Sequence, residues 1–198
     1  FFVKSGDVSF GFLSETTTSK ESPYAATDGR LLLGSGATFS TDGAAAKFVN
    51  GYAGTTGIGS SILAIGAGSI YAPIKVMANP NTLDVHGAYF NVAPLTIYPG
   101  LDASVSQVAN TEYWVVKGEN AILSLSWRSA SNLASFLLQD VILVGYKNGK
   151  WEMIPSAIDV NSVFGGISSL SDSGSVSSLN IVTLADYEAF AIGAKAPL

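Results

Sequence analysis

Residues 141–154 read "VILVGYKNGKWEMI", and this stretch carries the clearest structural signal in the chain. Asn148-Gly149 predicts a two-residue β-turn, because such a turn needs positive φ at both central residues and Asn and Gly tolerate it. The residues on either side are rich in Val, Ile, Tyr and Trp, which is typical of half-buried strands. The stretch therefore predicts a β-hairpin, and it specifies a shape rather than a reaction.

The composition is poor in charge and rich in small residues. Charged residues make up 13% of the 198, Gly occurs 21 times, Cys is absent and the net charge is −5. The ten basic residues are scattered, so they form no stripe that could neutralise phosphates, and we expect no nucleic-acid partner. Without Cys there is no thiolate nucleophile and no Cys-ligated metal. We also expect no membrane span, because no run of about 18 apolar residues exists.

Segments of strand-like composition recur between clusters of Gly, Ser, Asn and Asp. They lie at residues 7–13, 30–40, 46–52, 61–66, 70–78, 84–92, 95–99, 112–118, 121–129, 141–154, 179–184 and 189–195. About twelve short strands with frequent turns predict an all-β fold, either an antiparallel β-sandwich or a jelly-roll-like arrangement. We expect a single β-rich domain over residues 1–198. The Ser- and Gly-rich residues 165–180 look like a long surface loop.

Strand periodicity is clearest in "AILSLSW", residues 121–127. Successive side chains of a strand point to opposite faces, so Leu123, Leu125 and Trp127 would face the core. Ile122, Ser124 and Ser126 would then lie on a wet face, as in an antiparallel sheet with one solvated side.

A second arrangement remains open for the N-terminal part. "RLLLGSGATFS" (30–40) and "SILAIGAGSIY" (61–71) share a rhythm of Leu-rich segments and Gly turns. Such a rhythm is also typical of stacked β-helix rungs. The alternative is therefore a sub-element at residues 1–57, made of β-helix-like rungs, that packs on a sandwich at residues 58–198.

Several motifs occur together in one order: "AKFVNGYAGTTG", "SILAIGAGSIYAPIKVMA", "NTEYWVVKG" with "AILSLSW", "VGYKNGKWE" and "YEAFAIGAKA". In that order they resemble a β-rich module of secreted surface proteins of Bacteroidota that leave the cell by type IX secretion. The matching residues are Phe48, Val49, Gly51, Tyr52, Gly66, Tyr71, Pro73, Glu112, Tyr113, Trp114, Leu125, Trp127, Gly149 and Trp151. The resemblance implies an extracellular location and a structural or adhesive role, and it carries over no catalytic residue.

Candidates for catalysis and metal binding are weak. His86 is the one histidine, and although Asp84 shares its strand face, no nucleophile is marked in the sequence. We therefore expect a structural histidine, no catalytic residues and no enzyme activity. Calcium is conceivable at Asp-Gly and related loops, since it prefers oxygen ligands, but Asp-Gly also favours turns for backbone reasons alone. The loops in question contain Asp28-Gly29, Asp42-Gly43, Asp102 and Asp172-Ser173-Gly174.

Aromatic side chains suggest a possible ligand face. Tyr113, Trp114 and Tyr146 could form a platform for sugar rings, although large aromatics also dominate the core of any sandwich. Trp127 and Trp151 alternate with polar neighbours and are predicted to point inward.

The apolar N-terminal residues Phe1, Phe2 and Val3 suggest an assembly strand. Such a strand either joins its own sheet or pairs with a neighbouring subunit by β-augmentation, and repeated head-to-tail pairing would produce a filament. We therefore expect a non-catalytic, secreted structural or adhesive module that self-associates or binds neighbouring surface proteins. The alternatives are a carbohydrate-binding module and a viral capsid or fibre subunit.

Overall fold

The turn at Asn148-Gly149 forms as predicted in a computed structural model, which describes residues 2–3, 7–9, 16–17, 20, 29–34, 37–40, 48–56, 59–78 and 84–197. Asn148 has φ 53° and Gly149 φ 81°, the values that this turn requires. On either side of it Lys147 pairs with Lys150 and Tyr146 with Trp151, which fixes the register of the hairpin.

Short strands make up most of the described chain. In chain order they are β1 (Phe2–Val3), β2 (Asp7–Ser9), β3 (Thr16–Thr17), β4 (Arg30–Leu33), β5 (Thr38–Ser40), β6 (Val49–Asn50), β7 (Tyr52–Thr55), β8 (Gly59–Leu63), β9 (Gly66–Ala67), β10 (Ile70–Tyr71), β11 (Ile74–Ala78), β12 (Val85–Phe90), β13 (Val105–Val108), β14 (Tyr113–Gly118), β15 (Asn120–Arg128), β16 (Val141–Lys147), β17 (Lys150–Ile154), β18 (Ser156–Ile158), β19 (Ser173–Ser178), β20 (Val182–Thr183) and β21 (Ala189–Lys195). Helices are short: α1 (Pro94–Ile97) and 3-10 turns at Ser129–Ser131, Leu138–Asp140 and Leu184–Asp186. Across these ranges no helix has the length and apolar character needed to cross a membrane.

Two large sheets form a β-sandwich, which confirms the predicted fold class. The nine-stranded sheet has the order β1-β4-β7-β12-β14-β21-β16-β17, with β13 also paired to β21. The six-stranded sheet has the order β18-β19-β15-β11-β8, with β20 also paired to β15. Within these two sheets, every pairing that joins two strands of the range β7 to β21 is antiparallel, as the alternating sequence predicts.

The N-terminal strands pair differently, because their pairings are parallel. β1 lies beside β4 and β4 beside β7, while β2 pairs with β5 and β3 with β6. Parallel pairing of this kind also occurs between the stacked rungs of a β-helix. Whether residues 1–57 form a sub-element of their own stays a prediction. β7 then pairs with β12, which joins the stack to the sandwich.

The central strands of the nine-stranded sheet, β14, β16 and β21, are buried on both faces. In β14, Trp114 and Val116 point into the core between the two sheets, whereas Tyr113 and Val115 point into a second core on the opposite face. The same alternation of apolar residues continues in β16 and β21. A sheet buried on both faces explains why its strands contain so few charged residues.

The segment at residues 91–104 covers part of the outer face of this sheet. Tyr98 packs in the second core, and its carbonyl accepts a hydrogen bond from the Trp151 indole N–H (2.8 Å). Tyr146 donates its hydroxyl proton to the Pro99 carbonyl (3.1 Å). Backbone bonds between Trp151 and Gly100 and between Asp102 and Trp151 then protect the edge strand β17.

Two segments differ from their predicted structure. The strand expected at 95–99 is wrong, since this region contains α1. Pro94 stands at the first turn of that helix, where its missing N–H is not needed, and the Tyr98 N–H donates to its carbonyl. The loop expected at 165–180 is also wrong, because its second half forms β19. This strand is Ser-rich, but it is flanked by β15 and β18 and is held by both of them.

Two side chains on the predicted solvent face of residues 121–127 are less exposed than the alternation suggests. Leu123, Leu125 and Trp127 face the core as predicted, but Ser124 and Ser126 are buried as well. Ser126 Oγ donates to the Pro73 carbonyl (2.5 Å), and Ser124 Oγ lies 2.6 Å from Ser177 Oγ on the neighbouring strand. Short hydroxyl side chains between two flanking strands are therefore shielded even on the outer face of the sheet.

Gly174 provides a test of the packing around Trp127. A Cβ at this position would lie 2.1 Å from Trp127 Cζ2, whereas a Cβ at Gly166 would meet nothing within 4 Å. We expect Gly174→Ala to lower the free energy of unfolding by about 1–3 kcal/mol, because overpacking forces the ring or the strand to move. Urea denaturation of both variants measures this. Equal stability of Gly174→Ala and the control Gly166→Ala would contradict the packing described here.

Candidate functional site

His86 lies in a polar cluster between β4, β7 and β12. Its side chain is buried, and its Nδ1 lies 2.8 Å from Asp84 Oδ1. Arg30 Nη2 lies 3.4 Å from the other oxygen of Asp84, and the Tyr52 ring meets the imidazole edge-on at 5.8 Å. The hydrogen bond from His86 lowers the pKa of Asp84, and the charges of His86 and Arg30 act in the same direction against the effect of burial. This cluster links the parallel strands to the sandwich.

The three predicted sugar-facing aromatics lie in the interior. Tyr113 is 2% exposed, Trp114 0% and Tyr146 7%. Trp114 donates its indole N–H to the Ala72 carbonyl (3.2 Å), and Tyr113 stacks on Phe90 with ring centroids 4.9 Å apart. Placed in this way the rings fill the two cores and offer no open platform to a ligand. Trp127 and Trp151 are fully buried, as predicted.

The aspartates proposed for calcium are dispersed. Asp102 binds Lys150 through one carboxylate oxygen (2.5 Å) and Ser104 through the other (2.8 Å), while Asp172 is exposed. Asp28 and Asp42 lie outside the described residues. Within the described ranges no three His, Asp or Glu side chains are grouped closely enough to hold a metal ion.

A buried polar cluster surrounds Glu112 at the start of β14. Glu112 is 1% exposed and accepts hydrogen bonds from the Arg128 guanidinium and from the Tyr89 hydroxyl (2.8 Å). Burial, followed by the charge of Glu112, raises the pKa of Tyr89 far above its usual value, so this hydroxyl remains a donor. No local motif in the sequence marks the cluster, because its members come from β12, the residue before β14 and the last residue of β15.

Some buried polar atoms of this cluster have no hydrogen-bond partner among the described residues. Glu112 Oε1 and the Nε and Nη1 of Arg128 are buried without a hydrogen-bond partner among the described residues. Unpaired buried polar atoms cost stability, and natural proteins tolerate such violations mainly at functional positions. The unpaired atoms of Arg128 therefore point to its surroundings as a candidate binding region.

A cleft of about 420 Å³ lies beside Arg128. The hairpin β9–β10, the 3-10 turn after β15 and the loop before β19 form its walls. The residues that line it include Ser69, Tyr71, Arg128, Ala130, Phe164 and Ser173. Burial raises the pKa of Tyr71 to about 12, so its phenol is neutral at physiological pH. The cleft therefore combines two aromatic rings, a guanidinium and hydroxyl groups.

A larger groove of about 610 Å³ offers less polar chemistry. Leu137, Met153 and Pro197 line it, and its two charged groups, Lys195 and Asp140, already pair with each other at 3.5 Å. Size alone therefore does not make it the better candidate for a specific ligand.

The N-terminal edge of the nine-stranded sheet is the remaining candidate surface. Phe2 and Val3 pair in parallel with Leu32 and Leu33, so this predicted assembly strand lies in its own sheet, while Phe1 is outside the described residues. In the part of the chain that the structure describes, β1, β2 and β3 each pair with a strand on one side only. Their other sides carry backbone groups that a further strand could bind.

Comparisons with protein-family models, with curated proteins and with solved structures find no match for this chain. Its function therefore has to be inferred from the geometry of the molecule itself.

Replacing Glu112 tests the buried cluster. Glu112→Gln keeps the shape of the side chain but leaves the Arg128 charge unneutralised, so we expect the free energy of unfolding to fall by about 3 kcal/mol. The control is Asp186→Asn, which breaks the exposed pair between Lys147 and Asp186. Such surface pairs contribute little, and the control should resemble the unmodified chain in urea denaturation. A Glu112→Gln chain of unchanged stability would show that the buried pair contributes nothing.

The Asp84 cluster predicts an acid dependence of stability. Because the folded-state pKa of Asp84 lies below its unfolded value, the stabilisation is present above about pH 4 and is lost as the pH falls through the folded pKa. Asp84→Asn should therefore reduce stability at pH 7 and make its decline below about pH 4 shallower. Thermal unfolding from pH 7 to 2, with the exposed Asp172→Asn as control, measures both effects. Parallel curves for Asp84→Asn and the unmodified chain would refute the assignment.

Proposed function

We propose that the chain is a non-catalytic structural or adhesive module of the cell surface, which associates with a second copy of itself through the edges of the N-terminal strands β1, β2 and β3, each of which lies in a different sheet. The observation that carries the proposal is that, among the described residues, each of these strands pairs with one partner only: β1 with β4, β2 with β5 and β3 with β6. An open strand edge exposes a row of donors and acceptors, and pairing with another chain satisfies them.

The sandwich supports a scaffold role. Both faces of the central strands of the nine-stranded sheet are buried, and all three tryptophans lie within the cores. The single histidine is buried in an ion-paired cluster rather than in an open cleft. These features favour a rigid body that holds its edge strands in place.

Low charge favours contact between copies. Charged residues are 13% of the chain, so two copies can approach with little desolvation of charge. The extracellular location in the proposal is supported by the resemblance of the strand and hairpin motifs, from "AKFVNGYAGTTG" to "YEAFAIGAKA", to a secreted module. If the edge of one copy binds a different edge of the next, repeated contacts produce a filament or a layer; a two-fold contact produces a closed pair.

Lysine substitution at the edge tests the proposal. Phe2→Lys/Val3→Lys places two charges on β1, and edge charges oppose strand pairing. We expect the unmodified chain to form oligomers whose mass rises with concentration in size exclusion with light scattering, and the double variant to remain a monomer. Negative-stain electron microscopy of the unmodified chain then separates filaments and layers from closed pairs.

A matched control separates strand pairing from general stickiness. Val160 is exposed but lies outside these strands, so Val160→Lys should leave the oligomer intact. An unmodified chain that stays monomeric at about 10 mg/ml, or an oligomer dissolved by Val160→Lys and not by the β1 variant, would refute the proposal. Far-UV circular dichroism of each variant verifies that the fold is retained.

A further inference from the structure

The cleft beside Arg128 has the features of a site for a sugar ring. Its volume of about 420 Å³ lies in the range of small-molecule pockets. Tyr71 and Phe164 both line it, with ring centroids 6.1 Å apart and planes at 72° to each other. Two half-buried rings in this orientation can contact the apolar face and the edge of one pyranose at the same time.

Both rings are held in place before any ligand binds. Tyr71 stacks on the buried Phe48, with centroids 6.3 Å apart and planes at 20°. Phe164 belongs to a loop fixed by serine hydroxyls: its N–H donates to Ser162 Oγ (3.2 Å), and the Val163 N–H donates to Ser175 Oγ (3.0 Å). A preorganised site loses little conformational entropy when it binds.

The rest of the loop is equally well anchored. Ser168 Oγ donates to the Asp159 carbonyl (2.6 Å), and the Trp127 indole donates to the Ser169 carbonyl (2.9 Å). The loop before β19 therefore forms a wall of the cleft that is tied to the core of the sandwich. The serines of this region thus have a structural role, because their hydroxyls hold the backbone of the loop in place.

The polar groups of the cleft favour an uncharged ligand. Arg128 lines the cleft, but its guanidinium is paired with the buried Glu112, which neutralises its charge. The Tyr71 phenol is neutral, and Ser69 and Ser173 add hydroxyl groups. Hydroxyl groups suit the alternating donors and acceptors of a sugar, whereas a carboxylate ligand would meet no excess positive charge.

We propose that this cleft binds a neutral pyranose unit of a glycan, with Tyr71 and Phe164 as the ring contacts and the hydroxyls of Ser69 and Ser173 as the polar contacts. The site uses none of the N-terminal strands, so it is independent of the self-association proposed above. It also uses none of the aromatics that the sequence suggested, because those fill the cores.

The test is saturation-transfer NMR with defined probes. The neutral probes are the methyl pyranosides of glucose, galactose, mannose and N-acetylglucosamine. N-acetylneuraminic acid tests an anionic sugar, and N-acetyltryptophanamide tests the docking of an aromatic side chain of another protein. We expect at least one neutral pyranoside to bind with a Kd of about 1 mM, the range of a single-ring contact.

Three variants locate the binding. Phe164→Ala removes one ring contact and should weaken binding about tenfold. Tyr71→Phe keeps the ring but removes the hydroxyl, and should weaken binding about threefold to tenfold. Ile167→Ala is the matched control, because Ile167 is 79% exposed on the same loop but does not line the cleft, and it should bind as the unmodified chain does.

Four outcomes would contradict the proposal. If none of the four neutral pyranosides binds, or if Phe164→Ala binds as the unmodified chain does, the cleft is not a sugar-binding site. Tighter binding of N-acetylneuraminic acid shows that the charge argument is wrong, and tighter binding of N-acetyltryptophanamide shows that the cleft receives a protein side chain. Urea denaturation of each variant distinguishes loss of binding from loss of fold.

Discussion

Each of the three tryptophans fills a core with its ring and donates its indole N–H to a carbonyl in a different part of the chain. Trp114 of β14 binds Ala72, which lies between β10 and β11. Trp127 of β15 binds Ser169 in the loop before β19, and Trp151 of β17 binds Tyr98 in the segment that covers the outer face. A buried indole needs both space and an acceptor, so each ring fixes the position of one layer against the next.

The layered arrangement accounts for the composition. Strands such as β14 and β16 are buried on both faces, so few of their positions accept a charge. Many buried polar positions are instead filled by serines, which meet carbonyls or other serines at short range, as Ser126 and Ser124 do. The chain is therefore apolar on average, although no helix among its described residues is long and apolar enough to cross a membrane.

Local patterns predicted the local structure well. The Asn148-Gly149 turn and the inward faces of Leu123, Leu125 and Trp127 follow from backbone preference and from period-two alternation. The strand β19 was missed because serine has no strong strand preference and gains its stability from β15 and β18 on either side. The helix α1 was missed because Leu95 and Ile97 read as strand residues, while Pro94 decides the conformation.

Long-range features could not be predicted from one sequence. The parallel pairing of β1 with β4 depends on residues far apart in the chain, and alternation alone does not give the direction of a neighbouring strand. The Glu112–Arg128 pair and the contact between Tyr71 and Phe164 each join different strands and loops, without any local motif. Of the aromatics considered for a sugar platform, Tyr113 and Tyr146 pack in the second core together with Tyr98, and Trp114 lies in the core between the two sheets.

The position of β21 sets a constraint on biosynthesis. This strand lies in the middle of the nine-stranded sheet, between β14 on one side and β16 on the other, although it comes from residues 189–195. A nascent chain that has not yet released these residues from the ribosome has a gap at the centre of its main sheet. Until then its apolar strands stay accessible to chaperones and to other nascent chains, and the barrier to folding is dominated by contacts distant in sequence.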